Sequence, residues 1–235
     1  MLIEQMQTWR HVFKLDPNRP IEEEMIVRLL QSGTDGIIVG GTDGITYQNT
    51  YELMRRVKQT SLPCVQEISN AKAVVPGFDG FCIPVVLNTN DTEWLIGAHQ
   101  KTMKEFGEWI PWNQVAVEGY VVLNPEAKVA QLTGAQTSLT HDDILAYAQI
   151  AEHLFRLPFF YLEYSGVYGD ALVVQATANH LRHTKLIYGG GIRFEKQARE
   201  MAQFADIVVV GNLIYDDIEM ALQTVSWVKE TKLIR

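Results

Sequence analysis

Short apolar runs of β type alternate with longer helical stretches over nearly all 235 residues, and no other feature of the chain restricts its fold so strongly. Residues 11–16, 35–42, 64–69, 80–87, 115–123, 159–164, 185–188 and 207–210 read as eight strands. Most are nearly continuous apolar runs, the pattern of strands buried on both faces. Helices are expected at 21–32, 50–60, 92–106, 142–155, 169–181, 194–204 and 218–229. The first carries Glu22, Glu23 and Glu24 in its opening turn, where carboxylates complement the helix dipole, and Gly33 stops it. Asp91 or Thr92 is the cap expected for the third, and Thr140 or His141 for the fourth. The alternation skips once, between the third and fourth strands. Residues 70–79 are too few for a helix and include Pro76 and Gly77, so a loop or extended segment stands there. At this length the pattern implies an α/β fold of one domain, residues 1–235: a modified TIM (β/α)8 barrel with its third helix replaced. No linker divides the chain. No Gly-x-Gly-x-x-Gly opens a helix after the first strand, as a dinucleotide-binding fold would require.

Charge narrows the ligand class. A formal net charge of −8 without a basic face argues against a nucleic-acid protein, because neutralising a phosphate backbone needs clustered Lys and Arg. A small anion is still within reach of one Lys and a set of backbone N–H groups. The N-terminus lacks the basic start and apolar core of a signal peptide, and no apolar run reaches bilayer-spanning length. Cys64 and Cys82 show no CxxC or Cys/His clustering, and read as buried free thiols of a cytoplasmic protein.

In such a barrel the site lies at the C-terminal ends of the strands, and two-residue alternation sorts the side chains there. Lys14 and Asp16 share one face of the first strand and Phe13 and Leu15 the other, so both charges aim at the mouth if the apolar pair faces the helices. They read as ligands at the mouth or as an ion pair with each other at its rim. The second strand ends in Gly40, Gly41, Thr42 and Asp43. The sixth ends in Tyr-Leu-Glu-Tyr-Ser-Gly at 161–166, with Tyr161 and Glu163 on one face and Tyr164 on the other. A carboxylate between two tyrosines is poorly explained by packing, since burying it unpaired is costly; a structural ion pair is the competing account. The most specific feature is the pair of final strand ends, Gly189, Gly190 and Gly191, then Gly211 and Asn212, where many barrels hold a phosphate on loop N–H groups. Glycine lets backbone amides approach an anion closely, although plain tight turns also use it. The expectation is a phosphorylated ligand facing Glu163. Asp16, near Thr42, is the candidate ligand for an Mg2+ ion holding a second anion, because hard oxygens and phosphates are that ion's preferred company.

With these residues in view, the chain resembles the PcrB-type heptaprenylglyceryl phosphate synthases, bacterial relatives of the archaeal geranylgeranylglyceryl phosphate synthases. The resemblance covers essentially the whole chain. It is carried by Phe-Lys-Leu-Asp-Pro at 13–17, Val-Gly-Gly-Thr at 39–42, Tyr-Leu-Glu-Tyr-Ser-Gly at 161–166, Tyr-Gly-Gly-Gly-Ile-Arg at 188–193 and Val-Val-Gly-Asn at 209–212. It implies an Mg2+-dependent prenyltransferase that joins a polyprenyl diphosphate, heptaprenyl in the bacterial group, to the C3 hydroxyl of sn-glycerol 1-phosphate. It also implies that Lys14, Tyr161, Leu162, Glu163, Tyr164, Ser165, Gly166, Gly191, Gly211 and Asn212 hold glycerol 1-phosphate, the last three around its phosphate. Asp16 and Thr42 fall at the Mg2+ and diphosphate. Glu163 is then the group that hydrogen-bonds the glycerol hydroxyls and accepts the C3 proton, while Tyr164 either orients the hydroxyls or lines the site. The prenyl chain is expected to run between the irregular segment (Ala73, Val74, Val75, Phe78) and the next helix (Trp94, Leu95, Ala98, Thr102). Ordinary packing is the competing account for Trp94 and Leu95. A homodimer is implied, with residues 109–112 as interface or barrel cap, and at most peripheral membrane contact through the lipid product. The alternatives are a geranylgeranyl-specific synthase, a phosphosugar isomerase or aldolase barrel, and a non-catalytic phosphate or polyprenyl binder. The isomerase or aldolase would need a base or Schiff-base Lys deep in other strands.

Overall fold

The computed structural model describes residues 2–234. In chain order the elements are α1 (Leu2–Met6), β1 (His11–Leu15), α2 (Glu23–Gln31), β2 (Gly36–Val39), α3 (Tyr47–Val57), β3 (Cys64–Glu67), β4 (Gly80–Val86), α4 (Ala98–Phe106), β5 (Val115–Val122), α5 (Lys128–Thr133), α6 (His141–Gln149), β6 (Phe159–Glu163), α7 (Ala171–His180), β7 (Lys185–Gly189), α8 (Glu195–Ala202), β8 (Ile207–Val210), α9 (Leu213–Asp216) and α10 (Ile218–Lys229). Every strand is parallel to its neighbours, and β1 pairs with both β2 and β8, so the sheet closes. The expected (β/α)8 barrel is the fold observed.

Two-residue alternation divides each strand between two layers. Phe13, Leu15, Ile37, Val39, Phe160, Leu162, Leu186 and Tyr188 join the outer layer, packed against the helices. Val12, Ile38, Val65, Cys82, Ala116, Phe159, Ile187 and Val209 fill the interior. The N-terminal end of the interior is closed by Leu2, Met6 and Trp9. Two glycines make room for this plug: a Cβ on Gly36 would stand 2.8 Å from the Trp9 ring, and one on Gly80 would collide with Leu2.

Where the third helix is missing, only a single 3-10 turn (Ala71–Ala73) separates β3 from β4. Gln66 secures this segment from the outer face of β3. Its amide Nε2 donates to the Ala73 carbonyl at 2.7 Å, and its Oε1 accepts the Val75 N–H at 3.0 Å. One buried side chain thus satisfies backbone groups that a helix would have satisfied internally. Three short helices go beyond the sequence expectation: α1, α5 and α9. The expected helix at 50–60 starts instead at Tyr47, because Thr46 forms a capping box with Asn49. Thr140 caps α6 in the same way through Asp143. The expected helix at 92–106 is divided into a π-helical turn, Glu93–Gly97, and α4, and the Asp91 carboxylate accepts the Glu93 N–H at 2.9 Å. No helix among the described residues is long and apolar enough to cross a membrane.

Candidate active site

Above the apolar interior, the upper part of the barrel is polar. Lys14 from β1, Glu67 from β3, Glu118 and Tyr120 from β5, and Tyr161 and Glu163 from β6 all point inward. Lys14 is not paired with Asp16. Its Nζ donates to Glu67 Oε1 at 2.6 Å, which excludes the alternative of a Lys–Asp pair at the rim. Burial works against the ammonium charge, but the carboxylates of Glu67 and Glu163 reverse that effect and raise the Lys14 pKa. Glu163 is held by three donors. Tyr120 Oη donates to Oε2 at 2.6 Å, while the Ser165 N–H and hydroxyl donate to Oε1 at 2.5 and 3.1 Å. Burial and the neighbouring Glu163 carboxylate push the Tyr120 and Tyr161 phenols up, so both stay protonated. The Tyr161 hydroxyl is buried without a partner, as are both oxygens of Glu118 and one of Glu67. Burial first, then the Glu67 charge, push Glu118 up to about 8, so it is mostly protonated at neutral pH.

Tyr120, Glu67 and Glu118 were not singled out in the sequence. They sit inside apolar strands, and only closure of the barrel brings them to Lys14 and Glu163. Period-two alternation would have found them once the inward face of β5 and β3 was known.

The loops after β6, β7 and β8 form one side of the mouth. Ser165 has a left-handed φ of 41° and Gly166 one of 83°, so the chain turns sharply after Glu163. That conformation is costly for a non-glycine residue, and the two bonds from Ser165 to Glu163 secure it. A Cβ on Gly191 would lie 2.5 Å from Tyr168 N and 2.6 Å from Gly166 O. The β7 loop therefore packs directly on the β6 loop, and Gly191 is needed for that contact between loops. Gly211 is different: a Cβ there would meet nothing closer than Lys14 O at 3.6 Å. Gly166, Gly191, Gly211 and Asn212 all line the same cleft, with Lys14, Tyr161, Glu163 and Ser165.

Two residues of the 161–166 motif do not. Leu162 faces the helices in the outer layer. Tyr164 also turns outward; its ring lies 5.8 Å from that of Tyr188, and burial pushes its phenol up to about 12. The expectation that the Tyr164 side chain acts on a ligand is therefore corrected. Strand alternation puts Tyr164 opposite to Glu163, and its backbone N–H is used on Gly189 O.

The ends of β1 and β2 form the neighbouring part of the mouth, where Asp16 and Thr42 both line the cleft. A Cβ on Gly41 would stand 2.7 Å from Asp16 Oδ1, so glycine keeps that face of the carboxylate open. Asp16 N–H donates to Tyr215 Oη at 3.0 Å. Asp43 is occupied by Lys128 at 2.8 Å. Among the described residues no three His, Cys, Asp or Glu side chains form a metal cage. One carboxylate and one hydroxyl are a donor set that fits Mg2+ only when phosphate oxygens and water complete its shell, the ordinary manner of Mg2+ at phosphate sites.

The same cleft, of about 1880 Å3, continues away from the glycine loops along the side left open by the missing helix. Val74, Phe78, Phe81, Trp94, Ala98 and Thr102 line it, and it reaches Val115 at the opposite end of β5. Leu95 does not line it and packs against the outer layer. On β4 the groove is lined by Phe81, Ile83, Pro84 and Val86. Typical small-ligand pockets hold about 300–1,000 Å3. This one has room for a small polar ligand and a long apolar one together. Trp109 lines its far end and is 75 % exposed; Trp112 is 58 % exposed.

Fold and site together define a (β/α)8 barrel with its working groups at the C-terminal mouth, polar on one side and apolar on the other. Residues 4–229 match the PcrB family, and the chain belongs to that family. It is 53 % identical over 228 residues to a heptaprenylglyceryl phosphate synthase of Geobacillus kaustophilus (strain HTA426), covering 97 % of this chain and 95 % of that one. It is 53 % identical over 221 residues to a protein of the same name from Bacillus cereus (strain AH187), covering 94 % and 96 %. Among solved structures it resembles the (S)-3-O-geranylgeranylglyceryl phosphate synthase of Thermoplasma acidophilum in complex with substrate sn-glycerol-1-phosphate. That match has a TM-score of 0.79 and 23 % identity, covering 95 % of this chain and 96 % of that one, a likeness of fold.

Proposed function

We propose that this chain is a heptaprenylglyceryl phosphate synthase, which transfers the heptaprenyl group of heptaprenyl diphosphate to the C3 hydroxyl of sn-glycerol 1-phosphate and releases diphosphate. Family membership and the names of relatives about half identical over nearly full length support the activity. The observation that carries the assignment to this site is the position of Glu163. Its carboxylate lies where the polar glycine-loop side of the cleft meets the apolar groove, held by Tyr120 and Ser165.

In this reading glycerol 1-phosphate lies with its phosphate at Gly191, Gly211 and Asn212 and its hydroxyls at Glu163, Tyr161 and Lys14. The unpartnered Tyr161 hydroxyl supplies a donor. The C3 oxygen is thereby aligned before the allylic carbon loses its leaving group, and alignment of this kind lowers a large part of a bimolecular barrier. Glu163 accepts the C3 proton as the new C–O bond forms, when that oxygen has become acidic. Lys14, kept charged by Glu67, stays an electrostatic partner of Glu163. Asp16 and Thr42 would hold Mg2+ with the diphosphate, and the ion would neutralise charge on the departing group. The groove bordered by Phe78, Trp94, Ala98 and Thr102 takes the prenyl chain and excludes water from the reacting carbon.

The aldolase alternative lacks its central group. Among the described residues the strand Lys at the C-terminal mouth is Lys14, ion-paired and charged, whereas Lys185 opens β7 at the far end of the barrel and pairs with Asp206 at 3.1 Å. For the dimer we propose the exposed 109–112 segment as the contact, to be checked by light scattering of Trp109→Ala. The test of the activity is direct. Purified protein, Mg2+, labelled glycerol 1-phosphate and heptaprenyl diphosphate should yield a lipid-soluble labelled product, and chelating Mg2+ with EDTA should stop its formation. No product with any prenyl chain length would remove the transferase reading.

A further inference from the structure

We propose that Arg19 is the cation of the glycerol-phosphate pocket: it supplies the positive charge beside Gly191, Gly211 and Asn212, and holds the Asn212 amide with its NH2 group turned into that pocket. The proposal rests on the substrate reading above and adds a residue to it.

Arg19 follows β1 in the loop before α2 and lines the cleft. Its guanidinium carbon lies 3.7 Å from the centroid of the Tyr215 ring, a cation–π contact that holds the group over that ring. Nη1 donates to Asn212 Oδ1 at 2.9 Å. An Asn side chain presents a carbonyl on one side and two donors on the other, so a donor on Oδ1 decides which way the amide faces. Here Nδ2 is left on the Gly166 side, where a Cβ added to Gly166 would stand 2.6 Å from it. Gly166 O in turn abuts Gly191. The Asn212 donors therefore face the junction of the three glycine loops because Arg19 occupies the acceptor.

The charge balance of the cleft points the same way. Most of its basic side chains are already neutralised: Lys14 by Glu67, Lys101 by Glu93, Lys128 by Asp43 and Arg193 by Asp216. Among the described residues Arg19 and Lys72 line the cleft without an ion pair, and Lys72 lies on the turn after β3, away from the glycine loops. A phosphate dianion at Gly191 and Gly211 thus has one uncompensated cation beside it. Arg19 uses one N–H on a neutral amide, and its planar fork keeps four for an anion's oxygens. Tyr215 gives this arrangement a rigid base, since its hydroxyl accepts the Asp16 N–H at the end of β1.

The test separates the two substrates. Calorimetric titration of glycerol 1-phosphate into the protein without prenyl diphosphate is compared for the wild type, Arg19→Ala and Arg19→Lys, alongside steady-state KM values for each substrate. Loss of a charge-assisted contact predicts that Arg19→Ala weakens glycerol 1-phosphate binding about 10- to 100-fold. Its KM for that substrate should rise in parallel, with the KM for prenyl diphosphate within about twofold of the wild type. Arg19→Lys should recover part of the affinity, because it keeps the charge and loses the planar fork. Unchanged binding by Arg19→Ala, or a rise confined to the KM for prenyl diphosphate, would overturn the role of Arg19 alone. A wild-type protein that binds no glycerol 1-phosphate would overturn the substrate reading and this proposal with it.

Discussion

The two sides of the cleft are built in opposite ways. On the β6–β8 side, three loops meet so closely that a Cβ on Gly191 would lie 2.5 Å from a neighbouring backbone nitrogen, and each polar group has a fixed direction. On the β3–β4 side a helix is missing, one glutamine pins the replacement, and Val74, Phe78, Phe81 and Trp94 give the walls their apolar surface. The first side can discriminate a small ligand by the geometry of its donors. The second can accept a long flexible chain whose binding depends on buried area and little on direction. A polar head placed to a fraction of an ångström and a tail placed loosely are what an ether-forming transfer between such substrates requires.

The largest effect should come where the two sides meet. Glu163→Gln keeps the shape of the side chain but removes the proton acceptor, and is expected to lower kcat about 10²- to 10⁴-fold with a folded protein by circular dichroism. Near-normal kcat would take Glu163 out of the chemistry. Next, the polar side should tolerate substitution according to space. Gly191→Ala forces two backbones apart and should weaken glycerol 1-phosphate binding about 100-fold and lower Tm. Gly211→Ala, with 3.6 Å of room, should cost less than about tenfold and leave Tm alone. Equal effects would mean that the loop contact at Gly191 is unimportant. On the apolar side, Ala98→Trp should reduce turnover with heptaprenyl diphosphate about tenfold or more while a shorter prenyl diphosphate is still used, and glycerol 1-phosphate affinity should not move. A shift in that affinity would break the division between the sides.

The smallest effect on catalysis is expected beneath both, at Glu118. Its folded-state pKa stands at about 8 against an ordinary 4.5, so the folded protein holds a proton there that the unfolded chain gives up. Stability from this group is complete below about 4.5 and is lost as pH rises to about 8. Glu118→Gln should flatten the decline of the urea midpoint across that range, with kcat at pH 7 within about twofold. An unchanged pH profile would show that Glu118 is not the group responsible.

Much of this was legible in the sequence, for physical reasons that also mark where it stopped being so. Parallel strands buried on both faces must be apolar runs, so β1 to β8 and the gap at 70–79 are visible in the chain itself. Strand-end residues such as Lys14, Glu163 and Gly211 stood out because polar and glycine positions interrupt those runs. Tyr120, Glu67 and Glu118 did not stand out, since which face of β3 or β5 is inside depends on how the barrel closes. The partner of Lys14 is hidden for the same reason: Asp16 is near in sequence, whereas Glu67 arrives from two strands away. Tyr164 belongs to the 161–166 motif, yet strand alternation puts it opposite Glu163. Arg19 lay outside every motif, and its position depends on Tyr215 and Asn212 at the other end of the chain.

If the polar side of this cleft selects one glycerol phosphate and presents its C3 hydroxyl to the prenyl chain, the enantiomer of that phosphate must matter. The most direct measurement supplies heptaprenyl diphosphate and Mg2+ with either sn-glycerol 1-phosphate or sn-glycerol 3-phosphate and compares kcat/KM for lipid-soluble product. Fixed donors around both the phosphate and the hydroxyls predict a preference for the 1-phosphate of at least about 100-fold. Equal use of both enantiomers would contradict it.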